Sequence, residues 1–146
     1  MKYTNEIEIN KPIKKVIELF DNPDNMGKWM EGLQSFEHIS GTPGKPGAKS
    51  KLKFLHKGRA MELIETVTVR NLPEEFTGTY EMTGKGGLNT VKNKFVELSP
   101  TKTKYISESE FEFTGFIKFI APLMKGAFKK QSLKYITAFK TFAESV

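Results

Sequence analysis

The most informative segment of the chain is FIKFIAPLMKGAFKKQSLKYITAFKTFA, residues 116–143. At about 100° per residue, its apolar side chains fall within one arc of roughly 120°, opposite most of its lysines. The members of the arc are Ile117, Ile120, Met124, Ala127, Phe128, Tyr135, Ala138, Phe139 and Phe142. A long helix with so wide an apolar stripe needs a large apolar partner, so the segment predicts a helix packed on a sheet. Pro122 is expected to kink this helix near its start.

Segments of alternating polarity upstream of the helix predict the sheet. Residues 2–9 predict the first strand. Further strands are predicted at about 33–40, 48–57, 60–71, 75–83, 89–98 and 103–114. The turn signals GTPGKPG, KG, NLPEE, GKGG and SPTK separate them. Connections this short indicate that consecutive strands pair antiparallel.

Two short helices are predicted between the first and second strands. NKPIKKVIELF, residues 10–20, has Pro12 in its first turn and apolar residues at helical spacing. DNPDNMGKW, residues 21–29, predicts a shorter helical turn that ends at Trp29. The fold class is therefore α+β, with a curved antiparallel sheet of about seven strands wrapped on a long C-terminal helix. A chain of 146 residues fits one domain, residues 1–146.

This order of elements resembles the helix-grip fold of the SRPBCC superfamily, which includes birch-pollen-allergen-like proteins, lipid-transfer START domains and polyketide cyclases. The matching segments are residues 6–20, 21–29, 41–47, 64–76 and the terminal helix. The pattern I-x-K-P-x-x-x-V at 9–16, followed by a helix ending in tryptophan, is the most specific part. The resemblance implies a cavity between sheet and helix that holds a hydrophobic or amphipathic small molecule. It implies no single reaction, because the superfamily has no universal catalytic residue.

The composition excludes several classes of protein. The chain has 23 Lys and Arg against 17 Asp and Glu, a formal charge of +6, no cysteine and two histidines. Disulfides, thiolate metal sites and cysteine nucleophiles are therefore excluded, and no metal or cofactor is predicted. No stretch of 18 uncharged apolar residues occurs, and residues 1–10 alternate in polarity, unlike a signal peptide. We expect a cytoplasmic protein without integral membrane contact.

The most basic stretch is residues 45–59, which contain no acidic residue. Such a block can bind nucleic acid. Here Lys49, Lys51 and Lys53 alternate with Leu52 and Phe54, as on the outer face of a half-buried strand. Patches that recognise RNA interleave exposed aromatic residues with basic ones, whereas these aromatics have the opposite parity. We therefore predict no nucleic-acid partner, and we expect lysine and glutamate rows to pair across the outer face.

Two titratable residues are candidates for acid–base catalysis. His56 shares the inward parity of Phe54, just before a turn, where a structural histidine is the favoured interpretation and a general base the alternative. Glu65 shares parity with Val67, which would direct its carboxyl into the apolar interior and raise its pKa. The favoured alternative is that Ile64 points inward and Glu65 outward, because charges are seldom buried unpaired.

Polar residues at inward positions predict a ligand site. Gln131 falls near the centre of the helix stripe, and a buried amide without a partner costs about 1–3 kcal/mol. A few polar atoms in an apolar shell are typical of a small-molecule pocket. The predicted ligand-binding residues are Gln131, Met124, Phe128, Tyr135, Asn93, Ser107, Ser109, Tyr80, Tyr105 and Phe54. A fully packed core, in which Gln131 bonds a water, Asn93 or a strand serine, is an equally weighted alternative.

The favoured function is binding or carriage of a hydrophobic or amphipathic small molecule, by a monomer or weak homodimer. The first alternative is an enzyme of the polyketide cyclase/aromatase or hydratase kind, with His56, Glu65, Tyr80 or Tyr105 moving protons; the chain contains no recognisable catalytic frame. The second is a co-chaperone-like interaction module. It is favoured by Leu133 and Ile136, which point with the lysines of the helix and would be exposed on a monomer.

Overall fold

The secondary structure follows the predicted order. A computed structural model describes residues 1–82 and 87–146. The strands are β1 (Lys2–Ile9), β2 (Leu33–Ser40), β3 (Lys49–His56), β4 (Arg59–Asn71), β5 (Glu75–Met82), β6 (Gly87–Ser99) and β7 (Lys102–Phe113). The helices are α1 (Ile13–Phe20), α2 (Met26–Trp29), α3 (Ile117–Ile120) and α4 (Lys125–Glu144), with 3₁₀ turns at Pro23–Asn25 and Ala121–Met124. The predicted GKGG turn, apart from Gly87, and the predicted strand end at Thr83 lie outside the described residues.

The strands form one antiparallel sheet in the order β1-β7-β6-β5-β4-β3-β2. Strands β2 to β7 each lie beside their neighbour in sequence, and β1 closes the other edge by pairing with β7. The α+β helix-grip prediction is confirmed. Period-2 alternation made the strand bounds predictable from the sequence, because most strands bury one face.

Lysine and glutamate rows pair across the outer face of the sheet, as predicted. Nζ of Lys51 lies 3.4 Å from Oε1 of Glu62 on β4, and Nζ of Lys104 lies 3.1 Å from Oε2 of Glu6 on β1. Exposed pairs of this kind contribute about 0–1 kcal/mol each, so their main effect is to neutralise this face. The basic stretch 45–59 is thus partly compensated by its neighbouring strand.

The C-terminal helix is not continuous, which corrects the predicted stripe. A 3₁₀ turn containing Pro122 separates α3 from α4, so a single helical phase does not extend across the break. Ile117, Ile120 and Met124 are 44%, 38% and 50% exposed, where burial was predicted, and Ala127 is also exposed.

The buried face of α4 is also rotated relative to the prediction. Ile136, expected among the lysines, is 3% exposed, whereas Leu133 is 41% exposed as expected. Ile136 packs with Phe139 and Ala143 in the main core. The packing of α4 against α2 and the sheet determines which face of the helix is buried. The apolar arc in the sequence is too broad to specify that face by itself.

Phe139 is the centre of an aromatic cluster that fills one end of the interior. Its side chain is fully buried, and its ring centroid lies 5.2 Å from that of Trp29 and 5.8 Å from those of Phe20 and Tyr105. All three contacts are edge-to-face, a geometry that aromatic quadrupoles favour. The C-terminal half of α4 is thereby fixed to α1, α2 and β7.

Polar contacts attach α4 along the edge strand β1. Asn5 donates a hydrogen bond from Nδ2 to the carbonyl of Lys129 at 3.1 Å, and the hydroxyls of Tyr3 and Ser132 are 2.6 Å apart. Near the C-terminus, Lys140 donates from Nζ to the carbonyl of Glu8. The contacts of Lys129 and Ser132 hold the N-terminal half of α4 above the sheet even though that half is less deeply buried.

Replacement of Phe139 tests the importance of this cluster. Phe139→Ala should lower the free energy of unfolding by about 3–5 kcal/mol, because it leaves a large cavity among closely packed rings. Phe119→Ala is the matched control, since Phe119 is 76% exposed, and it should change the free energy by less than about 0.5 kcal/mol. Urea unfolding measures both values, and equal effects would contradict this assignment of the core.

Candidate functional site

A cavity of about 320 Å³ lies between the concave face of the sheet and α4. Its helix wall is the N-terminal half of α4, where Phe128, Gln131, Ser132 and Tyr135 are half-buried. The aromatic cluster around Phe139 occupies the other half of the interior. The space therefore exists because only the C-terminal half of α4 packs directly on the core.

A row of polar side chains crosses the concave face. Ser50 on β3 is in register with Glu65 on β4, Glu65 with Tyr80 on β5, and Tyr80 with Asn89 on β6. All four residues line the cavity, and in register they share one face of the sheet. His38 on β2 pairs with Ser50 and extends the row to the exposed edge of the cavity. We call these five residues the polar row.

Glu65 points into the cavity, so the favoured sequence interpretation was wrong. Its side chain is only 8% exposed. Loss of solvent raises the pKa of the Glu65 carboxyl, and hydrogen bonding from the Tyr80 hydroxyl partly offsets this rise. The expectation of an outward Glu65 assumed an unpaired buried charge. Here Tyr80 is the partner, and burial favours the protonated acid.

Burial and the nearby Glu65 carboxyl raise the pKa of Tyr80 well above its usual value. Tyr80 therefore keeps its proton throughout the physiological range and can act as a hydrogen-bond donor. Together Glu65 and Tyr80 form a pair of buried hydroxyl and carboxyl groups at the middle of the sheet.

A second polar group lies nearer the aromatic cluster. The Tyr105 hydroxyl donates to Oδ1 of Asn93 at 2.6 Å, and Nδ2 of Asn93 donates to the carbonyl of Phe76 at 3.2 Å. Burial raises the pKa of Tyr105 above its usual range. This network is internally satisfied, so it stabilises the cavity wall and offers few free hydrogen-bonding atoms.

Gln131 lies on the helix wall opposite the sheet. In the described part of the chain, its side chain makes no hydrogen bond to another residue, and Asn93, one of its predicted partners, is engaged with Tyr105 and Phe76. Ser132, the next residue on the helix, forms its hydrogen bond with Tyr3 of β1. The packed-core alternative in which Asn93 satisfies Gln131 is therefore wrong.

Two buried polar atoms on the cavity wall have no hydrogen-bond partner among the described residues. They are Nε1 of Trp29, a donor, and Oδ1 of Asn89, an acceptor. Buried polar groups are paired in the great majority of cases, and an unpaired one costs about 1–3 kcal/mol. Both atoms are shielded inside the wall, so a bound molecule reaches them only if the surrounding side chains move.

Most of the predicted site residues meet at this cavity. The lining includes Gln131, Phe128, Tyr135, Asn93, Ser107, Ser109, Tyr80, Tyr105, Phe54 and Glu65. His56 and Met124 are not among the described lining residues, and both side chains are exposed. His56 keeps the inward parity of its strand, but it is the last residue of β3, beyond the end of the cavity. Met124 precedes α4, on the exposed side of the break at Pro122.

Several lining residues were missed by the sequence analysis. Ser50 and Asn89 have the inward parity of their strands, so alternation alone could have identified them. The sequence predicts that Trp29 ends a short helix. Its contact with the cavity depends on how α2 packs, which the sequence does not specify. His38 lies on an edge strand that is mostly exposed, and no local signal distinguishes it.

Two further features of the described residues bear on function. Within residues 1–82 and 87–146, no cluster of three or more His, Asp or Glu side chains could hold a metal ion. In the same part of the chain, no helix is long and apolar enough to cross a bilayer.

The sheet, the long helix and the cavity between them define a helix-grip protein of the START-like class. The chain belongs to the family described as polyketide cyclase / dehydrase and lipid transport, whose sequence model matches residues 1–144. A comparison with curated proteins gives no significant match.

Solved structures with the same fold come from several sources. A START superfamily protein from Mycobacterium smegmatis is 12% identical, with a TM-score of 0.82 over 99% of this chain and 97% of that chain. Zhui aromatase/cyclase from Streptomyces sp. R1128 is 12% identical, with a TM-score of 0.81 over 99% and 93%. Ara h 8.0201 is 16% identical, with a TM-score of 0.78 over 100% and 99%. At these identities the likeness establishes the fold alone.

Replacement of Glu65 tests the electrostatics of the polar row. Because folding raises its pKa, the carboxyl destabilises the folded state above the folded pKa and ceases to do so below the unfolded value of about 4.3. Glu65→Gln should therefore be more stable than the parent at pH 8. The gain in the free energy of unfolding should be about 1.4 kcal/mol for each unit by which the folded pKa of Glu65 exceeds the unfolded pKa. This gain should vanish near pH 4.

Urea unfolding between pH 4 and pH 8 measures this difference. Glu62→Gln is the matched control, because Glu62 lies on the same strand but pairs with Lys51 on the outer face, and it should change stability by less than about 1 kcal/mol. A Glu65→Gln protein that is less stable than the parent at pH 8 would show that the folded state favours the carboxylate.

Proposed function

We propose that this protein binds a hydrophobic or amphipathic small molecule in the cavity between the sheet and α4. The observation on which this rests is a 320 Å³ space with a mostly apolar wall and a transverse polar row. Ligand pockets typically occupy about 300–1,000 Å³ and combine apolar walls with a few placed polar groups. Membership of a family that includes lipid transport supports the same function.

The polar row supports a ligand with at least one hydroxyl or comparable polar group. Gln131 on the helix wall offers both a donor and an acceptor that have no partner among the described residues. Glu65, when protonated, can donate as well as accept. A purely hydrocarbon ligand would leave these atoms unsatisfied, so the cavity is suited to an apolar body with a hydrogen-bonding group near the row.

Acid–base chemistry on the bound molecule is a second candidate function. The specific observation in its favour is the Glu65–Tyr80 pair, since a carboxyl with a raised pKa can donate or accept a proton near neutral pH. Similarity to an aromatase/cyclase adds support at the level of fold. His56 no longer supports this candidate, because its side chain is exposed.

The co-chaperone-like alternative loses half of its original basis. Ile136 is buried, so only Leu133 remains of the two helix residues expected to be exposed. Four expectations from the sequence stay predictions: a single domain, a cytoplasmic location, a monomeric or weakly dimeric state, and no binding of nucleic acid.

Calorimetric titration with 2-naphthol and naphthalene tests the ligand site. Both molecules have an apolar ring system, and only 2-naphthol has a hydroxyl group. We expect 2-naphthol to bind with a dissociation constant on the order of micromolar, and more tightly than naphthalene, because its hydroxyl can form a hydrogen bond with Glu65 or Gln131. Trp29, the only tryptophan, should report binding by a change in fluorescence.

A cavity-filling variant separates specific binding from adsorption to the surface. Ser109 is 4% exposed and lines the cavity, so Ser109→Leu should weaken the binding of both molecules at least tenfold. Thr4→Leu adds similar bulk on the outer face of β1 and should leave binding unchanged. Equal binding by the parent and Ser109→Leu would exclude this cavity as the site.

Gln131→Leu tests the helix wall. Since Gln131 has no partner among the described side chains, its replacement should keep or slightly raise the free energy of unfolding. It should weaken 2-naphthol about fivefold, the equivalent of one net hydrogen bond, and leave naphthalene unchanged or tighter. Thermal unfolding without ligand and the two titrations measure these effects. A loss of about 1–3 kcal/mol in stability would instead assign Gln131 to the packing of the core.

A further inference from the structure

The segment 116–124, between β7 and α4, exposes an unusual amount of apolar surface. Phe116, Phe119 and Leu123 are 78%, 76% and 83% exposed, the highest values for large apolar side chains in the described part of the chain. Ile117, Ile120 and Met124 are between 38% and 50% exposed. Contiguous apolar surface of this kind marks an interaction site. We call residues 116–124 the docking segment.

The docking segment is anchored at its middle by the small side chain of Ala121, and its large apolar side chains take no part in the anchoring. Ala121 is 2% exposed, and with Lys118 and Pro122 it lines a groove against the end of β7. The side chains of Phe119 and Leu123 lie on either side of this anchor and remain exposed. The segment is thus held to the protein in a position that presents apolar groups to another surface.

The docking segment and the first turns of α4 carry only positive charge along the chain, and Glu112 at the end of β7 is the one acidic side chain in the groove beside Ala121. Lys118 and Lys125 lie in or next to it, and Lys129 and Lys130 follow in the first turns of α4. No acidic residue occurs between Phe113 and Ala143. None of these four lysines forms an ion pair with a described residue, whereas lysines of the sheet pair with glutamates on adjacent strands.

We propose that the docking segment binds peripherally to the surface of an anionic phospholipid bilayer. Exposed Phe and Leu side chains insert at the boundary of headgroups and acyl chains, and unpaired lysines attract anionic headgroups. A second copy of the chain is a poorer occupant, because a symmetric contact would bring these lysines together without an acidic partner. Nucleic acid would match the lysines but not the aliphatic side chains of Leu123 and Ile120.

The docking segment and the cavity share one wall residue, Phe111, which lines both the cavity and the groove beside Ala121. Phe128, in the first turn of α4, lines the cavity, and its ring centroid lies 5.0 Å from that of Phe111. Docking would therefore place a bilayer about one helical turn from the cavity wall. The inference does not depend on ligand binding, because docking can occur and be measured with an empty cavity.

Sedimentation with unilamellar vesicles tests this proposal. The parent protein should bind vesicles of phosphatidylcholine with about one quarter phosphatidylserine, bind pure phosphatidylcholine much more weakly, and be released by high salt. Phe119→Ser/Leu123→Ser should weaken binding to the anionic vesicles at least tenfold. Lys125→Gln/Lys129→Gln should weaken it on the order of thirtyfold, at about fivefold per lysine, with no effect on pure phosphatidylcholine.

Matched variants elsewhere on the surface control for general stickiness and charge. Val96→Ser/Leu98→Ser changes two side chains that are each 44% exposed on β6, and Lys14→Gln/Lys53→Gln removes two exposed lysines. Both should bind vesicles like the parent. Hydrogen exchange of the parent should slow at residues 116–130 when anionic vesicles are added.

Other outcomes would overturn the proposal. Binding that is equal on both vesicle types and insensitive to salt would exclude recognition of anionic lipid. A dimer that Phe119→Ser/Leu123→Ser dissociates would assign the segment to a second copy, and tighter binding to single-stranded RNA than to vesicles would assign it to nucleic acid. The titration with 2-naphthol should be unchanged in all four variants, so failure of docking and failure of the ligand site are distinguishable.

Discussion

The packing of Phe139 against Phe20, Trp29 and Tyr105 is the contact on which the rest of the molecule depends. It fixes the C-terminal half of α4 over one end of the concave sheet, where the rings fill the space at the density of a protein interior. The other half of α4 is held along the edge strand by Tyr3 and Asn5, and by stacking of Phe128 on Phe111 of β7. The cavity is the volume left between these two modes of attachment.

Sheet register determines the chemistry of that cavity. Because paired residues on antiparallel strands share a face, one polar residue per strand at matched positions produces a continuous row from Ser50 through Glu65 and Tyr80 to Asn89. The row is costly to bury, and Tyr80 compensates Glu65 only in part. A well-packed core would gain stability from apolar residues at these positions, so the polar row supports the proposed ligand site.

The surface divides in a way that matches this interior. On the outer face of the sheet, lysines pair with glutamates and the charge is largely neutralised. Around α3 and the start of α4, lysines are unpaired in the described structure and surround exposed aromatic and aliphatic side chains. The net charge of the protein is therefore concentrated beside its most apolar surface, next to the helix wall of the cavity.

Periodicity within single elements was sufficient to predict the strands, the α4 residues at the cavity and the inward polar side chains Asn93, Ser107 and Ser109, and the short turns predicted the antiparallel pairing of consecutive strands. It failed where the outcome depends on contacts between elements. The phase of the apolar stripe does not pass through the break at Pro122, so the large apolar side chains of residues 116–124 are exposed and only Ala121 is buried. Glu65 is buried because the strand register supplies Tyr80 as its partner. Alternation along one strand specifies which side chains share a face, but only the packed sheet specifies which atoms meet there.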